Sequence, residues 1–322
     1  MVIDNLPSQL ASPMLIRERP ALKVMLDLTV YIVGPLEQEL EYLVDLYASL
    51  CPKEYMTKYK ISELEYWSYV ERPSLTASGR MAMKTGIRRP YMEPARKRIR
   101  EGRAFEIQFW DGRALEDVRG SWSFNCRRIK LRQSGLHAFV RILLPLSEDH
   151  NILRTAAAAI SNNVTFYSGH SGFVFVYDPW LKEAAFDAIY AHARRFWGVD
   201  VEDLNGTLPL MRRGIKGINW ITLVGNQFLS VADVREGIDK LTATPNVTTE
   251  LHQFGAMLIA GQEPVVGDQH RPDRSLDPYR AIAKALQPIL LAHHPDFPGE
   301  RFIKNANTVG WIQRFLDPNG WR

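Results

Sequence analysis

The sequence predicts an α+β protein: a mainly antiparallel sheet with helices packed on its faces. Three observations predict it. Residues 22–33 (LKVMLDLTVYIV) alternate with period two, which puts Leu22, Val24, Leu26, Leu28, Val30 and Ile32 on one side of a half-buried strand. After the Gly34-Pro35 break, Leu36, Leu40, Leu43, Tyr47 and Leu50 recur every three or four residues, the stripe of an amphipathic helix. Further along, hairpin-like strand pairs mix with helices instead of alternating one for one, which argues for α+β over a parallel α/β sheet.

The remaining elements follow in order. Residues 53–75 read as a loop with a short strand near Glu65–Val70. Residues 76–104 read as a basic helical stretch interrupted at Pro90 and Pro94. Strands are expected at Phe105–Trp110, Ser121–Leu131 and Ala138–Leu146, then an Ala-rich helix at Leu153–Val164. GFVFVY at 172–177 is continuously apolar, as in a central strand buried on both faces. The glycines of Ser168–Gly172 suggest a tight turn before it. A helix at Leu181–Trp197, a loop at 198–217, paired strands at Asn219–Val224 and Gln227–Val231, and a helix at Asp233–Leu241 follow. A strand at Phe254–Ala260 and helices at Tyr279–Leu291 and Thr308–Phe315 close the chain. One domain spanning 1–322 is expected. The order also admits two similar β-α halves with a seam near 147–150.

The chain has 322 residues, 46% hydrophobic and 24% charged, enough for a sizeable core. It has no apolar stretch of membrane-spanning length. Residues 1–20 contain no signal-type apolar run, so a cytoplasmic protein is expected. Its two cysteines, Cys51 and Cys126, are far apart and read as reduced thiols.

Catalytic and cofactor motifs are weak. Around Ser171 the GxSxG elbow has Gly169 but meets Phe173 where the second glycine belongs, so a hydrolase using Ser171 and His170 is only an alternative. Adjacent residues on an extended chain also point apart. His270 with Asp273, and His293-His294 with Asp296, lack preset metal spacing. No phosphate-binding glycine loop exists. No catalytic residue, metal or cofactor is therefore expected.

Charge is uneven. Residues 80–132 hold 15 Lys and Arg against 6 Asp and Glu; residues 36–71 hold 8 acids against 3 lysines. The plain reading is two solvated faces on a large protein; the alternative is a polarised surface that steers a charged partner. The basic 80–132 segment, with Arg96, Lys97, Arg98 and Arg100, is the nucleic-acid-binding alternative. Glu63, Glu65, Tyr66, Trp67, Tyr69 and Glu71 set aromatic anchors among acids, a composition that suits a protein interface and equally suits a strand whose alternate aromatics point into the core.

The second half carries a resemblance. FYSGHSGFVFV (166–176), RFWGVD (195–200), IKGINWITL (215–223), GAMLIAGQEPVVGD (255–268), Tyr279-Arg280 with Leu286 and Pro288, and WIQRF (311–315) occur in order. Together they resemble a family of type VI secretion immunity proteins (TsiV-like). Trp197 stands where the family tends to have proline, and Gln269-His270 where it favours Val-Asn. The resemblance implies a cytoplasmic, non-enzymatic antidote that binds a cognate effector toxin, a nuclease, without contacting nucleic acid or membrane. Read physically, Gly217, Gly255, Gly261 and Gly267 suit turns or close backbone approach, and Trp220 and Trp311 suit the core. A plug for a basic nuclease cleft should be acidic, so the expected toxin-binding residues are Glu63, Glu65, Tyr66, Trp67, Tyr69 and Glu71.

Overall fold

The computed structural model describes residues 6–16, 18–34, 37–61, 68–69, 73–75, 81–83, 91–111, 122–131, 135–271, 274–305 and 307–321. Its strands are β1 Met14–Ile16, β2 Arg19–Ile32, β3 Lys58–Ile61, β4 Ser68–Tyr69, β5 Pro73–Leu75, β6 Met81–Met83, β7 Phe105–Trp110, β8 Ser123–Leu131, β9 Gly135–Leu144, β10 Phe166–Tyr177, β11 Val199–Val201, β12 Ile221–Gly225, β13 Val247–His252 and β14 Gly255–Ala260. Twelve of them form one sheet in the order β13-β14-β12-β10-β2-β9-β8-β7-β3-β4, with β1 added to β2 and β11 to β10. β5 and β6 pair separately. Every neighbouring pair is antiparallel except β10 and β11. The α+β expectation holds.

The registers separate the two faces. Leu28, Ile142 and Phe124 lie in one row across β2, β9 and β8, and Phe109 continues it into β7. All four are buried. Helix Glu37–Leu50 covers this face, with Tyr47 stacked 6.0 Å from Phe109 and 5.2 Å from Phe124. Helices Met92–Arg100 and Asn151–Asn163 pack beside it. On the opposite face, Asp27, Thr29 and Tyr31 of β2 are buried beneath the segment that follows β11. Toward β7 and β3 that face carries half-buried Lys58, Lys60, Glu106, Gln108, Asn125 and Arg127.

Several expectations need correction. Ser168–Gly172 is not a turn; it lies inside the continuous strand β10. The glycines serve close packing: a Cβ on Gly169 would sit 2.8 Å from the Thr29 carbonyl oxygen of the neighbouring strand. Residues 227–231 are not a strand, and Asn226–Leu229 is a helical turn. β12 is already flanked by β10 and β14, so no free edge remains for a hairpin partner. In the basic stretch, Met81–Met83 is a strand and the helix begins only at Met92, after Pro90 has disfavoured helix in the residue before it. Pro94 sits within that helix's first turn, where proline is tolerated. The last helices are shorter than read, at Asp277–Ala285 and Thr308–Ile312.

Among the described residues, Gly198 is the tightest glycine. A Cβ there would lie 1.9 Å from the Val265 carbonyl oxygen, a backbone atom that cannot step aside. Gly198→Ala should therefore cost at least about 2 kcal/mol in denaturant unfolding. Gly217→Ala, whose Cβ would meet Ile312 oxygen at an ordinary 3.6 Å, should change it little.

Candidate functional site

The sheet's central strands carry a buried charge network. β2 contributes Asp27, Thr29 and Tyr31, β9 contributes Arg141, and β10 contributes His170. The registers set Thr29 opposite both Arg141 and His170. Asp200 in β11 and Glu202 just after it face His170, whose Nε2 lies 3.1 Å from an oxygen of each. Lys216 closes the group, with Nζ 2.6 Å from Asp200 and 2.6 Å from Glu202, and it also donates to the Val201 carbonyl. The Lys216 segment is held by a bridge between Ile215 and Leu290. Arg141 Nε donates to Asp27 at 2.6 Å, and the Tyr31 hydroxyl donates to Glu202 at 3.2 Å.

Asp27, Asp200, Glu202, Lys216 and His170 are each no more than 4% exposed. Desolvating a charge costs several kcal/mol, so such groups persist only when mutually compensated. Burial alone would raise both carboxyls, but the Lys216 and His170 charges outweigh it, holding Asp200 well below the carboxylate range and Glu202 down at about 2. Burial and the Lys216 charge depress His170; Asp200 and Glu202 outweigh them and lift it to about 9. At neutral pH Asp200 and Glu202 are thus ionised and face the cations His170 and Lys216, while Asp27 accepts from Arg141.

His170, Asp200 and Glu202 have ligand atoms close enough to hold a metal ion. The donor set does not fit one: the Lys216 ammonium already takes the shared corner of both carboxylates, and a second cation there would meet its repulsion. The Ser171/His170 hydrolase reading also meets contrary geometry. Ser171 is fully buried, donates to the Asp27 carbonyl at 2.7 Å, and is a strand neighbour pointing away from His170. Among the other metal candidates, His294 bonds Thr207 at 3.0 Å and the Pro295 carbonyl at 2.6 Å. Asp273 lies outside the described residues.

The motif residues act as staples. Arg195 grips Asp268 through two bonds of 2.8 and 2.7 Å, joining RFWGVD to the end of GAMLIAGQEPVVGD. Arg314 of WIQRF is fully buried; it donates to the Trp197 carbonyl at 2.8 Å and lies 4.0 Å over the Trp311 ring. Trp220 and Trp311 are in the core, as expected. Asp200, Lys216 and His170 all belong to the motifs, but their spacing in the sequence does not pair them with one another. A lone charge between apolar neighbours, as in VDV and IKGI, is the signal that marks them.

The expected toxin-binding residues Glu63, Glu65, Tyr66, Trp67 and Glu71 lie outside the described residues. Tyr69 ends β4, the last strand in the sheet order, opposite Lys58. The polarised surface is corrected in part. Arg96 of the basic helix pairs with Glu41 of the acidic one, and Arg100 bonds Glu37 at 3.0 Å and Glu93 at 2.7 Å. Here the helices Met92–Arg100 and Glu37–Leu50 neutralise part of each other's charge because they are neighbours. Arg98 donates to the Ala104 carbonyl, and buried Arg128 donates to the carbonyls of Arg98 and Arg103 at the helix's end. A helix that spends its arginines internally is a poor nucleic-acid groove. Among the described residues, no helix is long and apolar enough to cross a membrane.

Residues 75–315 match the family TsiV, described as type VI immunity for VRR-NUC. Among solved structures, the chain is similar to a T6SS protein of Pseudomonas aeruginosa, with a TM-score of 0.75 at 15% identity, covering 96% of this chain and 88% of that one. That likeness is one of fold. No curated protein matches.

The network sets a pH dependence. His170 is raised from 6.5 to about 9, so its stabilisation is complete below pH 6.5 and is lost as pH rises toward 9. Asp200 and Glu202 are lowered, so theirs is complete above about pH 4.5 and is lost in acid. Denaturant midpoints should be highest between these limits, and His170→Gln should flatten the alkaline decline. Lys216→Met leaves two buried carboxylates short of a cation and should cost about 3–5 kcal/mol.

Proposed function

The chain belongs to the TsiV family of type VI immunity proteins, and on that footing we propose that it neutralises a VRR-NUC nuclease effector by binding it in the cytoplasm, without catalysis. The observation that carries this reading is the family match across residues 75–315. The geometry supports the non-enzymatic half. The motif residues His170, Asp200, Lys216 and Arg314 are buried, and half-buried Arg195 is held by two bonds to Asp268. Ser171 faces away from His170 and has a partner of its own.

A nuclease cleft binds phosphates and is basic, so the surface that blocks it should offer acid and aromatic groups. Glu37 and Glu41 are already paired with arginines of this chain. That leaves the acidic aromatic segment Glu63, Glu65, Tyr66, Trp67, Tyr69 and Glu71 as the surface we assign to the effector. Steering by such a patch acts mainly on association rate and is screened by salt.

The combined variant Glu63→Lys, Glu65→Lys, Glu71→Lys should associate at least about tenfold more slowly with an inactivated VRR-NUC effector at low salt, measured by surface plasmon resonance. The difference should shrink as salt is added. Equal association at low salt would remove this segment from the interface.

A further inference from the structure

β13 ends the sheet opposite to β4 and, among the described residues, has one strand neighbour, β14. Gly261 N donates to the Asn246 carbonyl, and Ala260 N to the Trp220 carbonyl, both at 2.8 Å. Antiparallel alternation therefore turns the main-chain groups of Thr248, Glu250 and His252 toward β14, and those of Val247, Thr249 and Leu251 outward. Of the outward donors, Val247 N is used locally, by the Thr244 carbonyl. Edge strands in soluble proteins are usually blunted by lysine, proline, bulges or a covering element. β13 (VTTELH) has neither lysine nor proline, and its pairing with β14 is regular. Its one carboxylate, Glu250, is held by Arg154 at 2.5 Å. Leu251 is 76% exposed.

We propose that this edge pairs with β13 of a second copy of the chain, antiparallel, about a two-fold axis through Thr249. In that register Thr249 exchanges both main-chain bonds with its own copy, and each Leu251 N–H reaches the Val247 carbonyl of the other chain. The side chains agree with the backbone. Leu251 meets Val247 of the second copy on one face, with the two Thr249 side chains between them, and on the other face Thr248 meets Glu250. No like charges stand opposite, and each Glu250 keeps its own Arg154. A contact through one self-complementary patch closes as a dimer and does not propagate. This assignment is independent of how the effector is bound.

Sedimentation velocity from about 1 to 200 μM covers the range in which so small a contact associates. The wild-type chain is expected to shift from monomer toward dimer across that range. Leu251→Lys, at a side chain already in water, should stay monomeric and melt unchanged. Thr249→Pro, which removes an outward N–H while leaving the β14 ladder intact, should also stay monomeric. A wild-type chain that is monomeric throughout, or a Leu251→Lys dimer as tight as the wild type's, overturns the proposal. So does a monomeric wild type whose Leu251→Lys variant loses the effector, because the occupant of the edge would then be the effector's own strand.

Discussion

A lysine ammonium enclosed between two carboxylates sets the terms for the rest of this fold. Lys216 and its partners Asp200 and Glu202 come from the 199–218 segment, while His170, Tyr31 and Asp27 come from the two longest strands, β10 and β2. None of these charges is tolerable alone in a dry interior, because each loses several kcal/mol of hydration. They are tolerable together, in one arrangement. The segment must therefore dock on the sheet in a single position, with Val199 opposite Phe173 and Ile215 against Leu290. The cost of any slipped register is a buried unpaired ion. Arg195 with Asp268 and Arg314 with Trp197 extend the same logic toward the C-terminal helices.

Elements with strong apolar periodicity were legible in the sequence: β2, helix Glu37–Leu50, β10's second half, helix Lys182–Arg195 and β14. Period identifies β2 and the two helices, and short, continuously apolar runs identify β10's second half and β14. Three features were not legible, for separable reasons. β13 carries no apolar alternation because it lies at an edge, half in water, so VTTELH gives no strand signal. Gly169 and Gly172 look like turn residues, yet they are there to let strands and Trp220 approach; a sequence does not distinguish positional freedom from missing bulk. The charge segments read as opposed faces, but helix Met92–Arg100 lies beside helix Glu37–Leu50 and pairs their charges off. Tertiary adjacency decides the last case, and no local pattern encodes it.

The family motifs illustrate the division between scaffold and surface. His170, Asp200, Lys216 and Arg314 among their polar residues are buried and bonded, Arg195 and Asp268 pair with each other, and their tryptophans fill the core. Such positions specify the fold and leave the partner open. The partner must be specified by exposed residues between the motifs, where sequence can vary without unpairing a buried charge. A binder built this way needs no cleft of its own; it needs a rigid platform that presents a fixed set of side chains at low entropic cost.

Stoichiometry is the most direct test of neutralisation by binding. The measurement is DNA cleavage by a fixed amount of VRR-NUC effector titrated with the purified protein. The account expects activity to fall linearly and to vanish at one chain per effector, because each molecule occupies one effector and is not released to act again. Complete loss of cleavage at a small fraction of an equivalent would contradict it, showing turnover and hence an enzyme, as would undiminished cleavage at excess.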